Sequence, residues 1–198
     1  SYQQKIIARL AMHGDRQTTI AIANSMWINK EFKAKKAFVR ENEKFYNAAV
    51  MNCAFDADAV LFNEDSELRY KKEGIDSFSK YEKENKDVPL QEGPFAKLLK
   101  KLSKIQECLP VTVELSPLRL AIVSSRSAPA HMRVINTLKK WGVYVNEVYF
   151  LGGMPKDKVL KAFGAHIFFD DQDIHLESSS KVVPSGKVPY SSNSPLKK

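Results

Sequence analysis

The chain has 198 residues, of which 43% are hydrophobic, and this is enough for one domain with a sizeable core. No apolar run approaches the length of a membrane span, and the first residues lack the apolar core of a signal peptide, so neither membrane insertion nor secretion is expected. The net charge of +8 comes from lysines spread at helical spacing, which favours solvated helix faces over a nucleic-acid-binding patch and would help to attract a phosphorylated substrate.

The first half of the chain is predicted to alternate helices with two short buried strands. Apolar residues at helical spacing predict helices over residues 4–13, 30–49, 66–84 and 95–105. Short apolar runs predict strands over residues 18–23 and 51–55. The second of these strands leads directly into Asp56-Ala57-Asp58-Ala59.

The second half shows strands and helices in regular alternation. Strands are predicted over residues 118–123, 147–151 and 166–169, and helices over 130–141 and 156–163, ended by Gly142 and Gly164. Alternation with continuously apolar strands predicts an α/β fold, a parallel sheet with helices on both faces. Residues 178–198 are rich in Ser, Pro and Lys and are expected to be irregular.

Paired acids follow the strand at 51–55. Asp56 and Asp58 are two residues apart, and holding two carboxylates this close is unfavourable unless a cation or a transferring group lies between them. A polar turn is the plainer alternative. Later strands also end in polar residues, namely Ser124, Lys156 shortly after the next strand, and the pair Asp170-Asp171. Ligands of parallel sheets bind beyond these carboxyl ends.

Each of these residue types has a function in phosphoryl transfer. A carboxylate can attack phosphorus, and a second carboxylate can protonate the leaving oxygen and then activate water. A hydroxyl and an ammonium can hold the phosphoryl oxygens, and further acids can complete an oxygen shell for Mg²⁺. Their order at four strand ends therefore predicts a phosphohydrolase.

This order resembles the haloacid dehalogenase superfamily of phosphohydrolases. More narrowly, Phe55-Asp56-Ala57-Asp58-Ala59-Val60-Leu61-Phe62 followed by Asp65-Ser66-Glu67 is similar to the cytosolic type I 5'-nucleotidases. Further stretches agree at residues 84–86, 89–90, 93–94, 125–128, 138, 141–142, 155–156, 166–172 and 188–190. The resemblance covers about residues 53–190 and implies a Rossmann-like core of the haloacid dehalogenase type with a small helical cap.

The resemblance also implies roles for individual residues. Asp56 is the expected nucleophile, and Asp58 the expected general acid and base, with its backbone carbonyl also reaching the metal. Lys156, rather than Lys158 or Lys161, would neutralise the nucleophile and the phosphoryl group. Substrate contacts are expected from Ser124, Ser125 and Arg126, although a structural salt bridge is an equal alternative for the arginine. The expected Mg²⁺ ligands are Asp56, Asp58, Asp170 and Asp171, with Asp170 favoured over Asp171 as the direct ligand of that pair.

The implied organisation has four parts. These are a shortened N-terminal segment over 1–50, a core over 51–62 and 90–177, a cap over 63–89, and the irregular tail over 178–198. The usual family member has a longer stretch before the aspartate motif.

The implied activity is Mg²⁺-dependent hydrolysis of nucleoside 5'-monophosphates, AMP in particular, through an aspartyl phosphate in the cytoplasm. Two cysteines form no disulfide framework, which agrees with a reducing compartment. Two alternatives stay open: a phosphatase for another small phosphate ester, and a catalytically silent nucleotide-binding or dimerising remnant. A homo-oligomer is possible, whereas nucleic-acid and membrane partners are not expected.

Overall fold

The structure, a computed structural model, describes residues 50–109 and 116–197. The elements predicted over 4–13, 18–23 and 30–49 lie outside these residues. The chain divides into two compact units, one made of Ser1–Met51 and Gln106–Leu118, the other of Asn52–Ile105 and Arg119–Lys198. All residues of the predicted site belong to the second unit.

Five strands form one sheet in the described part of the chain. They are β1 (Met51–Phe55), β2 (Leu118–Ser124), β3 (Glu147–Phe150), β4 (Ile167–Asp170) and β5 (Ser185–Lys187). Their order across the sheet is β3-β2-β1-β4-β5, and β1 with β4, β2 with β3, and β4 with β5 pair in parallel. The predicted α/β fold with a parallel sheet is confirmed, and the boundaries of β1 to β4 differ from the predicted ones by one residue at most.

Helices connect the strands, as the alternating pattern predicts. They are α1 (Asp65–Glu84), α2 (Ala96–Cys108), α3 (His131–Trp141), α4 (Asp157–Phe163) and α5 (Asp173–Ser179). Glycines 142 and 164 end α3 and α4 in the left-handed conformation, where their amides bond back to the last turn. Within the described residues, no helix has the length and apolar character needed to cross a bilayer.

The core is built from the apolar strands and the helices that cover them. One buried cluster joins strand residues with residues of α4 and of the segment before β5: Ala54, Ala121, Val123, Leu151, Leu160, Phe163, Phe168 and Val183. Burying a side chain of this size contributes about 1.5–3 kcal/mol, so this cluster holds the strand ends in register.

Helix α1 is a hairpin of two helical arms that meet at Gly74. This residue has φ +78° and ψ 179°, a conformation that only glycine adopts without strain. Contacts between the arms pair residues on either side of the break. Ser66 Oγ lies 3.1 Å from Glu82 Oε1, and the Arg69 guanidinium lies 3.8 Å from the centre of the Tyr81 ring. The polar helix predicted over 66–84 is therefore a folded-back pair rather than one rod.

One short part of the tail differs from the sequence analysis. Residues 178–198 were expected to be irregular, but Ser185–Lys187 form β5 and extend the sheet beyond β4. The amide of Val188 donates to Asp170 O at 2.8 Å, and the Val188 side chain is buried. Composition missed this strand because an edge strand of three residues is held by backbone hydrogen bonds, which small polar residues form as well as apolar ones.

Candidate active site

Three strand ends meet at the centre of the sheet. Asp56 directly follows β1, Ser124 is the last residue of β2, and Asp170 is the last residue of β4. Strand β1 lies between β2 and β4, and the chain builds β2 and β3 on one side of it before crossing to β4 and β5 on the other. Such a reversal of strand order leaves a crevice at the carboxyl ends, where ligands of open parallel sheets bind.

A buried lysine joins two of these ends. The Lys156 ammonium, just before α4, lies 2.6 Å from Asp56 Oδ1 and 2.7 Å from Asp170 Oδ2. Its side chain is fully buried, whereas Lys158 and Lys161 are exposed. Burial disfavours the ammonium, but the two carboxylates outweigh it and hold the pKa of Lys156 above its ordinary value. The lysine therefore stays charged between the acids.

A third carboxylate completes an acidic cluster. One oxygen from each of Asp56, Asp170 and Asp171 lies within 4.8 Å of the others, and all three residues are buried. Burial raises the pKa of Asp56 well above its usual range, although Lys156 opposes this. Burial likewise raises the pKa of Asp171 to about 6. Three carboxylates around one ammonium leave an excess of negative charge, which is unfavourable in a buried site.

The cluster fits a hard divalent cation. Asp171 Oδ1 is buried and has no hydrogen-bond partner among the described residues, while its other oxygen accepts a bond from the Tyr190 hydroxyl. Both oxygens of Asp170 accept hydrogen bonds, one from the Lys156 ammonium and the other from the Gln172 backbone amide at 2.9 Å. An unpaired carboxylate oxygen beside two further carboxylates is the donor set that Mg²⁺ prefers. The choice of Asp170 over Asp171 as the direct ligand stays a prediction.

Asp58 lies outside this cluster and is held by an arginine. Its two oxygens accept hydrogen bonds from Arg126 Nη2 at 2.7 Å and Nε at 2.8 Å. Arg126 Nη1 donates to Glu82 Oε2 at 2.5 Å, so the arginine bridges two acids. Burial disfavours its charge, but Asp58 and Glu82 raise the pKa of Arg126 above its ordinary value. The structure thus contains the salt bridge named as the alternative for Arg126, and its substrate contact stays a prediction.

The two serines have different surroundings. Ser124 is buried, and its hydroxyl accepts a hydrogen bond from the Arg126 amide at 3.2 Å. Ser125 Oγ lies 3.3 Å from His175 Nε2. Burial lowers the pKa of His175, with Lys156 acting in the same direction, so the neutral imidazole is favoured. The neutral imidazole either accepts the Ser125 hydroxyl proton or donates to the Ser125 oxygen, depending on which ring nitrogen carries the proton.

Two residues of the site were missed by sequence reasoning. Glu82 is fully buried and bonds Ser66, Arg126 and Arg133, the last at 3.0 Å. Glu82 lies four residues after Phe78, the apolar anchor of the same helix face, so helical spacing could have marked it as inward-facing. Arg133 carried no such signal, because a single arginine in an amphipathic helix is commonly exposed.

A cavity of about 480 Å³ opens beside Asp58. The α1 hairpin supplies apolar side chains to one wall, including Tyr70, Ile75 and Phe78. The loop after β2 supplies Ser125 to the same cavity, and α5 supplies His175. A cavity of this volume that combines apolar and aromatic side chains with polar groups is typical of sites for small molecules.

Comparisons with known proteins identify the family of this chain. Residues 23–195 match the 5'-nucleotidase family. Over 135 residues the chain is 38% identical to cytosolic 5'-nucleotidase 1B of Homo sapiens. This alignment covers 67% of the chain and 22% of the human protein, so the chain spans less than a quarter of that relative's length. No solved structure matches. The resemblance inferred from the motifs is confirmed, and the chain belongs to the 5'-nucleotidase family.

Proposed function

We propose that this protein is a Mg²⁺-dependent 5'-nucleotidase that hydrolyses nucleoside 5'-monophosphates such as AMP. The observation that carries the proposal is the contact of Asp56 with Lys156, within a buried cluster that also contains Asp170 and Asp171. A nucleophilic carboxylate needs a cation to orient it and to offset its approach to an anionic phosphate. Lys156 supplies that cation, and the carboxylate oxygens of the cluster can hold a metal ion as a second one.

In the first step, an Asp56 oxygen attacks phosphorus and the bond from phosphorus to the nucleoside O5' breaks. Protonated Asp58 gives its proton to the departing O5', which leaves as the nucleoside hydroxyl. The product on the enzyme is an aspartyl phosphate at Asp56. Lys156 offsets negative charge at the nucleophile, and the hydroxyls of Ser124 and Ser125 would hold phosphoryl oxygens.

In the second step, water attacks the phosphorus of the aspartyl phosphate. The Asp58 carboxylate takes a proton from that water, the Asp56–phosphorus bond breaks, and phosphate leaves. Both aspartates then return to their starting states. Asp56, Asp170, Asp171 and the Asp58 carbonyl would hold Mg²⁺, which neutralises charge on the phosphoryl oxygens when bound.

The substrate's nucleoside would occupy the cavity beside Asp58. The α1 hairpin lines this cavity with Tyr70, Ile75 and Phe78, and such apolar and aromatic side chains can pack on a nucleobase. We assign residues 63–89 to a cap that covers the site and excludes water, and residues 51–62 and 90–177 to the catalytic core. The name of the human relative places that protein in the cytosol, and we propose the same location here.

The test is phosphate release from AMP with Mg²⁺ and with EDTA. Asp56→Asn is expected to lower turnover on the order of 10³-fold or more, because the nucleophile is removed. Asp65→Asn, at an exposed acid nearby, is the matched control and is expected to retain activity. A panel with UMP, glucose 6-phosphate and p-nitrophenyl phosphate identifies the leaving group. Preference for the sugar phosphate would overturn the nucleotide assignment, and an inactive wild type would overturn the enzyme assignment.

A further inference from the structure

Asp58 is attached to the α1 hairpin through a chain of buried charges. Four side chains make up this chain, which we term the clamp: Asp58, Arg126, Glu82 and Arg133. Two are acidic and two are basic, so the clamp carries no net charge when Asp58 is ionised and one positive charge when Asp58 holds the proton that it transfers. Arg126 and Glu82 are almost entirely shielded from solvent, and both Asp58 and Arg126 line the cavity.

The link between Arg126 and Asp58 fixes an orientation as well as a distance. Two parallel N–H···O bonds of 2.7 and 2.8 Å join a planar guanidinium to a planar carboxylate, which restricts rotation of both groups. Arg126 is held in turn by Glu82 at 2.5 Å and by the Ala130 carbonyl at 3.3 Å. Its backbone amide bonds Ser124 Oγ. The arginine therefore has a single well-supported position.

Glu82 connects this arginine to the base of the hairpin. One Glu82 oxygen accepts bonds from Ser66 and Arg133, at 3.1 and 3.0 Å, and the other accepts from Arg126. Ser66 lies in the first arm of α1 and Glu82 in the second, so closing the hairpin completes the shell around the Glu82 carboxylate. A buried carboxylate requires such a complete shell, because each missing partner leaves charge unpaired.

We propose that Arg126 is a positioning residue that holds Asp58 in its acid–base orientation, and that Glu82 makes this orientation depend on the α1 hairpin. The inference rests on the proposed function, in which Asp58 transfers the protons. The hairpin then has two functions: it lines the substrate cavity, and it aligns the acid–base carboxylate. Arg126 acts through Asp58 instead of touching the phosphate.

The experiment compares Arg126→Lys, which keeps the charge but loses the paired bonds, with Glu82→Gln. Each is expected to lower kcat for AMP by about 10- to 100-fold with KM changed less than about threefold, because misalignment of a proton donor slows chemistry and not binding. First-turnover release of p-nitrophenolate from p-nitrophenyl phosphate should change far less, because this leaving group needs no proton.

A double variant separates positioning from substrate contact. Adding Arg126→Lys to Asp58→Asn is expected to cause no further loss of kcat, because Arg126 acts only through Asp58. If the arginine binds phosphate directly, KM for AMP rises and the loss persists in the Asp58→Asn background. Either result would overturn the proposal.

Asn52→Ala, at the other end of β1, is the control for a loss of stability that leaves the site intact. This variant removes one buried and one partly buried hydrogen bond, from the Asn52 side-chain amide to the Phe163 and Gly164 carbonyls, and is expected to lower the melting temperature with kcat retained. If Arg126→Lys does not fold, Glu82→Gln decides the question.

The melting temperatures of Glu82→Gln, Asp58→Asn and their double variant give a readout that needs no activity. Non-additive changes are expected because both acids bind Arg126. Additive changes would overturn the clamp even in an active enzyme. An inactive wild type with non-additive changes would instead count against the proposed function alone.

Discussion

Lys156 illustrates how a single buried charge holds the site together. Its ammonium contacts Asp56 and Asp170, and its side chain has no access to solvent. Taking the charge out of water is costly, and the carboxylates offset this cost only while all partners are present. Without the lysine, the cluster of Asp56, Asp170 and Asp171 would hold three acids and no cation.

Lys156→Met is expected to lower the free energy of unfolding in EDTA by about 3–5 kcal/mol, because it leaves buried carboxylates unpaired. This corresponds to a fall in melting temperature of roughly 10 °C for a chain of this size. Mg²⁺ should restore part of the loss, because it replaces the missing positive charge. The measurement is thermal unfolding by circular dichroism with EDTA and with Mg²⁺.

The same variant has an expected pH dependence. Burial raises the pKa of Asp56 and Lys156 opposes this, so in the Lys156→Met variant that pKa rises further and the ionised carboxyl destabilises the fold more at neutral pH. Protonation relieves this as the pH falls, so the deficit in EDTA should shrink from neutral toward acidic pH. Lys158→Met, at the exposed rival lysine, is the control and should match wild type. Equal losses for both lysines would contradict the assignment of Lys156.

At the scale of single elements, Gly74 determines how α1 lines the cavity beside Asp58. The hairpin folds back at Gly74, and the packing of Tyr70 against Phe78, with ring centres 6.0 Å apart, follows from that turn. Both rings line the cavity beside Asp58. The conformation of one backbone position therefore determines where the apolar wall lies.

Gly74→Ala is expected to destabilise the hairpin by about 1–3 kcal/mol, because an alanine is strained at this φ and ψ. No atom lies within 4 Å of the position that the new Cβ would take, so the effect comes from the backbone and not from crowding. The expected readouts are a lower melting temperature and a higher KM for AMP. Asp76→Ala, in the same turn and exposed, is the control. A Gly74→Ala protein with unchanged melting and KM would show that the turn tolerates a side chain.

At the scale of the whole molecule, strand pairing brings the C-terminal segment that contains β5 and Tyr190 next to the acidic cluster. β5 pairs with β4, whose last residue is Asp170, and the Tyr190 hydroxyl beyond β5 donates to Asp171. The segment expected to be irregular therefore borders the acidic cluster. Backbone pairing at the sheet edge and one tyrosine contact tie the end of the chain to the site.

A chain ended at Val183 is expected to lose about 2–3 kcal/mol of stability, because it lacks β5, the buried Val188 side chain and the Tyr190 contact. Its rise in melting temperature with Mg²⁺ should also weaken, because Asp171 loses its orienting partner. A chain ended at Tyr190 keeps these contacts and serves as the control. Similar Mg²⁺ responses in the two truncated chains would exclude a contribution of the tail to the metal site.

Much of the core could be predicted from local patterns. Continuous apolar runs marked β1, β2 and β4, and the glycines at 142 and 164 marked helix ends, because these signals depend on near neighbours in the chain. The meeting of Asp56 with Asp170 also followed, since the carboxyl ends of parallel strands share one edge of a sheet. The connection from Glu82 to Arg126 did not, because residues 44 apart in sequence have no local pattern that pairs them.

By itself, the sequence determined the class of fold, the family and the identity of the acids and the lysine at the strand ends, because periodicity and motif order are written in adjacent residues. Only the tertiary structure decided which partner each charge takes: Lys156 between two acids, Asp58 on Arg126, and Asp171 beside Tyr190. The physical reason is that a buried charge is stable only with a complete set of partners, and that set is assembled by packing from segments far apart in the chain.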